Sequence, residues 1–273
     1  MVVLITGCRS GFGLLSAQEL AERGHTVVAG LRDVTTAEAL REATEGRDVH
    51  PVALDVTKPG EVASVIDRIE RRHGRLDALV NNAGIGLGGF LEQVDDDEMQ
   101  RLFDINVFGV HRLTRAALPL LRASRGSVVM VSSMSGQLAL PALGAYAASK
   151  FALEGMSEAW RHELRPFGVR VTLVEPGPYK TDIFTRNRQE ARRAREPASP
   201  YATYVARIDD ELASVDRRAG DARDVARRIA DIVEDPAPPL RHPMGPGSLL
   251  RRAVKRLAPW SMWERAIARR LMY

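Results

Sequence analysis

The feature that most restricts this chain is its rhythm. Short β-branched or apolar runs alternate with longer segments of helical periodicity: "VVLIT", then residues 12–23; "TVVAG", then 35–45; "HPVALDV", then 59–73; "LDALVNN", then 96–122; "GSVVMVSS", then 145–167; and finally "VRVTLVEPG". Strands that are apolar almost throughout are covered on both faces, and strands separated by helices run parallel. The expectation is an α/β, doubly wound fold with a predominantly parallel sheet flanked by helices. Gly74 in "RRHGRLD" is placed to end the third helix, and Asp221 to cap a helix over "DARDVARRIADIVEDP". "PLRHPMGPG" reads as a short last strand or turn, which brings the sheet to seven strands. Residues 177–200 break the rhythm with Pro178, Pro197, Pro200 and a run of Arg, and read as a loop and short helix above the sheet.

Composition removes several function classes. With 45% hydrophobic and 27% charged residues and no apolar run near the ~20 residues of a membrane span, the chain reads as a globular protein without a transmembrane segment. Its first residues run straight into a strand, so no signal peptide is expected and a cytoplasmic location is. One cysteine, Cys8, excludes an internal disulfide, and its place in a glycine turn marks it as a small packed residue rather than a nucleophile. The net charge of +4 comes with Arg clusters interleaved with Glu and Asp and without aromatic interleaving, which describes solvated helix faces and not a nucleic-acid surface. Six scattered histidines lack ligand spacing, so no metal site is expected. The acids of "QVDDDEMQ" suit a helix N-terminus.

Two stretches point to chemistry. "TGCRSGFG", residues 6–13, follows the first strand and opens a helix, and glycines there let main-chain N–H groups approach a phosphate. In "AYAASKFALEG", Tyr146 and Lys150 stand four residues apart, on one helix face, where a neighbouring cation favours the phenolate. That pair alone occurs in many helices. With "LDVT" at 54–57, "NNAG" at 81–84, "NVFG" at 106–109, "VSSMSG" at 131–136, "YAASK" at 146–150 and "EPGPYKT" at 175–181, the chain resembles the short-chain dehydrogenase/reductase family over about residues 1–185. The nearest likeness is to members acting on hydroxysteroid-like or retinol-like substrates.

The resemblance implies a single Rossmann-type catalytic domain over 1–273, a substrate-binding loop at about 177–200 and a helical extension at about 247–273. It implies Tyr146 as acid/base and Lys150 as the residue that holds the nicotinamide ribose and lowers the Tyr146 pKa. Ser133 would bond the substrate oxygen, and Asn106, at a helix interruption, would hold a proton-relay water. Thr6, Gly7, Arg9, Ser10, Gly11, Phe12 and Gly13 would form the dinucleotide turn. Asp55 and Val56 would meet the adenine, and Asn82, Ala83 and Gly84 its ribose side. Pro176 and Gly177 would lie under the nicotinamide, with Thr181 on its carboxamide. After the second strand Leu31 stands where an acidic residue would select NAD; Arg32, with Arg9, suits a 2′-phosphate and favours NADP(H) over NAD(H), while the adjacent Asp33 can instead face the ribose or neutralise Arg32.

Leu87, Phe90, Leu138, Leu140 and Leu143 suggest an apolar pocket for a hydrophobic small-molecule ketone or secondary alcohol, or else part of the core. The tail carries Leu249, Leu250, Val254, Leu257, Trp260, Trp263, Ile267 and Leu271 among many Arg, as an amphipathic helix that covers the substrate entrance, a second subunit or a membrane surface. A homodimer or homotetramer through helices near 105–122 and 145–167 follows from the resemblance. The competing readings are an epimerase or dehydratase of the same fold, and a non-catalytic NADP-binding regulator.

Overall fold

The computed structural model describes residues 1–180, 189–217, 219–245, 248 and 257–271. Seven parallel strands form the central sheet: β1 (Val2–Thr6), β2 (Thr26–Leu31), β3 (Val49–Ala53), β4 (Ala78–Asn81), β6 (Ser127–Val131), β7 (Arg170–Pro176) and β9 (Arg241–Met244), in the order β3-β2-β1-β4-β6-β7-β9. The chain winds outward from β1 to β3, then returns to pair β4 with β1 in parallel, Leu4 facing Leu79. That reversal makes the carboxyl ends of β1 and β4 the switch point, where loops on either side part and leave a crevice.

Residues alternate between the two faces of the sheet, so each strand feeds two cores. Val2 and Leu4 join Val28, Leu113, Leu153 and Trp160 on one face. Val3 and Ile5 join Ala17, Leu20, Val225 and Ile229 on the other. The first face is covered by α3 (Pro59–His73), α5 (Val110–Ser124) and α6 (Gly144–Leu164), the second by α1 (Gly11–Glu22) and α8 (Ala222–Glu234). Gly74 ends α3 at φ +66°, and the Asp221 carboxylate accepts the Arg223 amide at 2.9 Å to cap α8.

Several elements depart from the sequence reading. The helix expected over 35–45 is a 3₁₀ turn, Val34–Thr36, followed by α2 over Glu38–Ala43. The helix expected over 96–122 is three pieces: α4 (Asp96–Phe103), a π-helical turn (Asp104–Gly109) and α5. A two-stranded ribbon pairs β5 (Leu87–Gly88) with β8 (Gln189–Glu190), too short to leave a periodic trace. Helix α7 (Ala202–Arg217) follows the proline-rich segment, where the sequence reading assigned no helix. The tail forms α9 (Trp260–Leu271); its Leu271 is buried, and with Ile267 it packs beside Phe90, Ala142 and Ile208 of the same chain. Leu249, Leu250 and Val254 lie outside the described residues.

Candidate active site

The C-terminal ends of six strands open into one cleft of about 1290 Å³. Gly7, Arg9, Ser10, Gly11 and Phe12 enter it after β1; Leu31, Arg32, Asp33 and Thr36 after β2; Asp55, Val56 and Thr57 after β3. Asn82, Ala83, Gly84 and Ile85 follow β4, Ser132 and Ser133 follow β6, and Pro176, Gly177 and Tyr179 close the far side, with Tyr146 and Lys150 of α6.

The turn after β1 is built for close backbone approach. Gly7 and Gly11 have φ of +75° and +57°, and the amides of Gly7 and Cys8 donate to the Gly30 carbonyl at 2.9 and 3.0 Å. The first amides of α1 lack intrahelical acceptors and point from a helix N-terminus, as an anion requires. Gly13 packs against the turn, since a Cβ there would lie 2.3 Å from the Gly7 carbonyl oxygen. Thr6 sits behind: its hydroxyl accepts the amides of Asn82 and Ala83 at 3.0 and 2.8 Å, and Asn82 Nδ2 donates back to the Thr6 carbonyl at 2.8 Å. The two loops are thereby tied across the switch point.

At the other wall, the Asp55 carboxylate accepts the Thr57 amide and hydroxyl at 2.9 and 2.7 Å. Burial would raise its pKa, but these donors outweigh burial and hold it below the usual range. Asp33 accepts from the Thr35 amide at 2.9 Å and hydroxyl at 2.6 Å and caps the 3₁₀ turn, so Thr35, with Arg9 nearby, holds its carboxyl low.

The inner end gathers the polar set. Tyr146, Ser133 and Lys150 are buried, and Ser133 hydrogen-bonds the phenol. Lys150 Nζ donates to the Val131 carbonyl at 2.9 Å and lies 5.8 Å from the Tyr146 ring centre. Gly84 separates Lys150 from Asn106: a Cβ there would sit 3.7 Å from Nζ and 3.3 Å from Asn106 Oδ1. Burial pushes the phenol up to about 12, Ser133 opposing, and pushes the ammonium down to about 8, Glu154 opposing. Burial raises the phenol and Ser133 opposes it, so the expected lowering of Tyr146 by Lys150 is not seen in this arrangement.

Residues 1–192 match the family model described as short chain dehydrogenase. The chain belongs to the short-chain dehydrogenase family. It is 36% identical over 246 residues to a 3-ketodihydrosphingosine reductase of Bacteroides thetaiotaomicron, covering 90% of this chain and 88% of that protein. A short-chain dehydrogenase from Streptomyces avermitilis superposes with a TM-score of 0.81 at 34% identity, over 97% of this chain and 98% of the other. A metagenomic short-chain oxidoreductase solved in complex with NADP gives 0.62 at 35% identity, over 65% of this chain and 82% of that one. This short-chain dehydrogenase is accordingly an oxidoreductase.

Of the residues singled out from the sequence, Thr6, Gly13 and Asn106 stand one layer behind the cleft wall, and Thr181 lies outside the described residues. Asn106 sits in the π-helical turn, where its side chain clamps the Ile85 amide and carbonyl, both at 2.9 Å, and donates to Ser149 at 3.1 Å. The five apolar residues assigned to the pocket do not line this cleft. Leu87 packs with Leu102 and Ala145, and Phe90 stacks on Tyr201 at 4.2 Å, so both fill the core. Leu138, Leu140 and Leu143 are half-buried outside it. Thr57, Ile85 and Tyr179 line the cleft without having been singled out. Thr57 had a signal, the Asp-x-Thr pattern of an Asx turn.

Proposed function

We propose that this protein is an NADP(H)-dependent reductase that interconverts a ketone and a secondary alcohol on a hydrophobic substrate. One observation carries the reading: a phenol, a hydroxyl and an ammonium converge at the buried end of a cleft whose other end is a glycine turn at a helix N-terminus. The turn fits a dinucleotide, since Gly7 and Gly11 take positive φ and leave the N-terminus of α1 facing the cleft. Gly7, Ser10, Gly11 and Phe12 would hold the pyrophosphate, Asp55 and Val56 the adenine, Arg9 and Arg32 a 2′-phosphate, and Lys150 the nicotinamide ribose. The bound nicotinamide supplies or accepts the hydride.

Ser133 orients the substrate oxygen by a hydrogen bond, and Tyr146 gives that oxygen its proton as negative charge develops there. A phenol at about 12 is fully protonated at neutral pH, the form that carbonyl reduction needs. Lys150, an ammonium below about 8, offsets the phenolate left behind. Ile85, Pro176 and Tyr179 give largely apolar walls, in keeping with the keto substrate in the name of the Bacteroides relative. The whole chain acts as one catalytic unit in the cytoplasm, with 177–200 as substrate loop, and works as a homo-oligomer. No helix among the described residues is long and apolar enough to cross a membrane.

The test is turnover of long-chain ketones and secondary alcohols with each cofactor, in the parent and in Tyr146→Phe. The variant is expected to lose about 10²–10⁴-fold in kcat while binding cofactor unchanged. A Tyr146→Phe protein at parental rate overturns the reading.

A further inference from the structure

One turn beyond Lys150, the same helix buries Glu154, and a second carboxyl, Glu175, lies buried at the end of β7. Neither belongs to the set described above. A single guanidinium serves both: Arg241 Nε stands 3.1 Å from Glu154 Oε2 and 3.1 Å from Glu175 Oε1. Gln137 Nε2 donates to Glu175 Oε1 at 2.6 Å, and Arg241 also reaches Glu158 at the exposed rim. Glu154 Oε1 and the Ser132 hydroxyl are both fully buried without a well-formed hydrogen bond, and Ser132 is near enough to favour the ionised Glu154 carboxyl. The turn that follows Ser133 rests on this carboxyl, for a Cβ on Gly136 would lie 2.9 Å from Glu154 Cγ and 2.9 Å from Ser132 Oγ.

Two carboxyls sharing one site repel each other's charge, which favours one proton and one negative charge between them. Glu175 also bonds Glu154, and burial raises Glu154 above the usual range against Ser132 and Arg241. The groups that face the pair are Lys150 and Glu158 from α6, Arg241 from β9, and Ser132 and Gln137 from the segment after β6. With Glu158 opposite Arg241, the single charge of the pair balances Lys150. An ammonium buried without that balance would lose its proton.

We propose that Glu154 is a positioning residue: paired with Glu175 through Arg241, it keeps Lys150 in its ammonium form and props the Ser132–Gly136 segment that presents Ser133. This rests on the reading of Lys150 and Tyr146 given above.

The experiment is ¹³C NMR of lysine-labelled, cofactor-free protein. The chain has four lysines, and Lys150→Arg assigns the resonance. In the parent the Lys150 midpoint is expected near 8. Glu154→Gln keeps the shape and confines the charge of the pair to Glu175, off the helix that carries Lys150, and is expected to move that midpoint down by up to about one pH unit. The alkaline limb of kcat should follow it. Glu175→Gln leaves a whole charge on Glu154 and is expected to move the midpoint up. A folded Glu154→Gln protein with an unmoved midpoint overturns the proposal. Should that variant not fold, Glu175→Gln decides alone, an unmoved or falling midpoint being the contrary result. An active Tyr146→Phe enzyme would sink the catalytic reading and leave the titration standing, so the two failures are distinguishable.

Discussion

Arg32 gains its meaning from what its neighbours are doing. Leu31 ends β2 without a carboxylate, and Asp33, the side chain able to contest a 2′-phosphate, is committed to the Thr35 amide and hydroxyl. Arg9 faces the same cleft from the glycine turn. Charge-assisted bonds to a phosphate contribute about 1.5–3 kcal/mol each, so Arg32→Ala should raise the KM for NADPH by about tenfold or more. The KM for NADH should stay within about twofold, because the bond lost is one that NADH never makes. Initial rates with both cofactors measure this, and an equal loss with both would place Arg32 away from the phosphate.

Among elements, the turn between β1 and α1 is the least tolerant. Gly13 faces the Gly7 carbonyl so closely that a methyl group would land 2.3 Å from its oxygen, whereas Gly24, at φ +82°, has nothing within 4 Å. The two glycines therefore answer different physics, steric contact in one and backbone conformation in the other. Gly13→Ala should destabilise by more than about 3 kcal/mol and abolish dinucleotide binding, while Gly24→Ala should cost about 1 kcal/mol, the left-handed penalty alone. Urea melts and cofactor titration separate the two, and similar losses would refute the distinction. The π-helical turn follows the same logic: Gly109 lies where a Cβ would meet Val56 Cγ2 at 2.6 Å, so the widened turn brings the backbone against the β3 loop while aiming Asn106 at Ile85.

Across the whole molecule, the faces left bare are as informative as the core. Phe151 on α6 and Phe108 on the adjoining π-helical turn are 46% and 55% exposed, although both elements are otherwise well packed. Phe108 also borders the cleft, whereas Phe151 on the long helix α6 suits contact with a second copy. Phe151→Arg should halve the mass seen by light scattering at micromolar concentration while the circular dichroism spectrum stays the same. An unchanged mass would refute a contact through this face. The tail, by contrast, has a partner within the chain: Ile267 and Leu271 cover Phe90 and Ile208.

Local chemistry made much of this legible in the residues. Unbroken apolar runs dictated buried parallel strands, Gly74 and Asp221 marked helix ends, and the order of the glycine turn, Ser133, Tyr146 and Lys150 pointed to one cleft, because periodicity, capping and motif spacing act over a few residues. The two-residue strands and α7 escaped, being set by packing between distant segments, whereas the interruption around Asn106 was implied by the resemblance. The protonation of Tyr146 escaped as well, since it depends on how much of the surrounding protein excludes water. The pairing of Glu154 with Glu175 and Arg241 is likewise a product of the tertiary fold: three groups far apart in the chain meet only once sheet and helix bring them together, the two carboxyls buried between them.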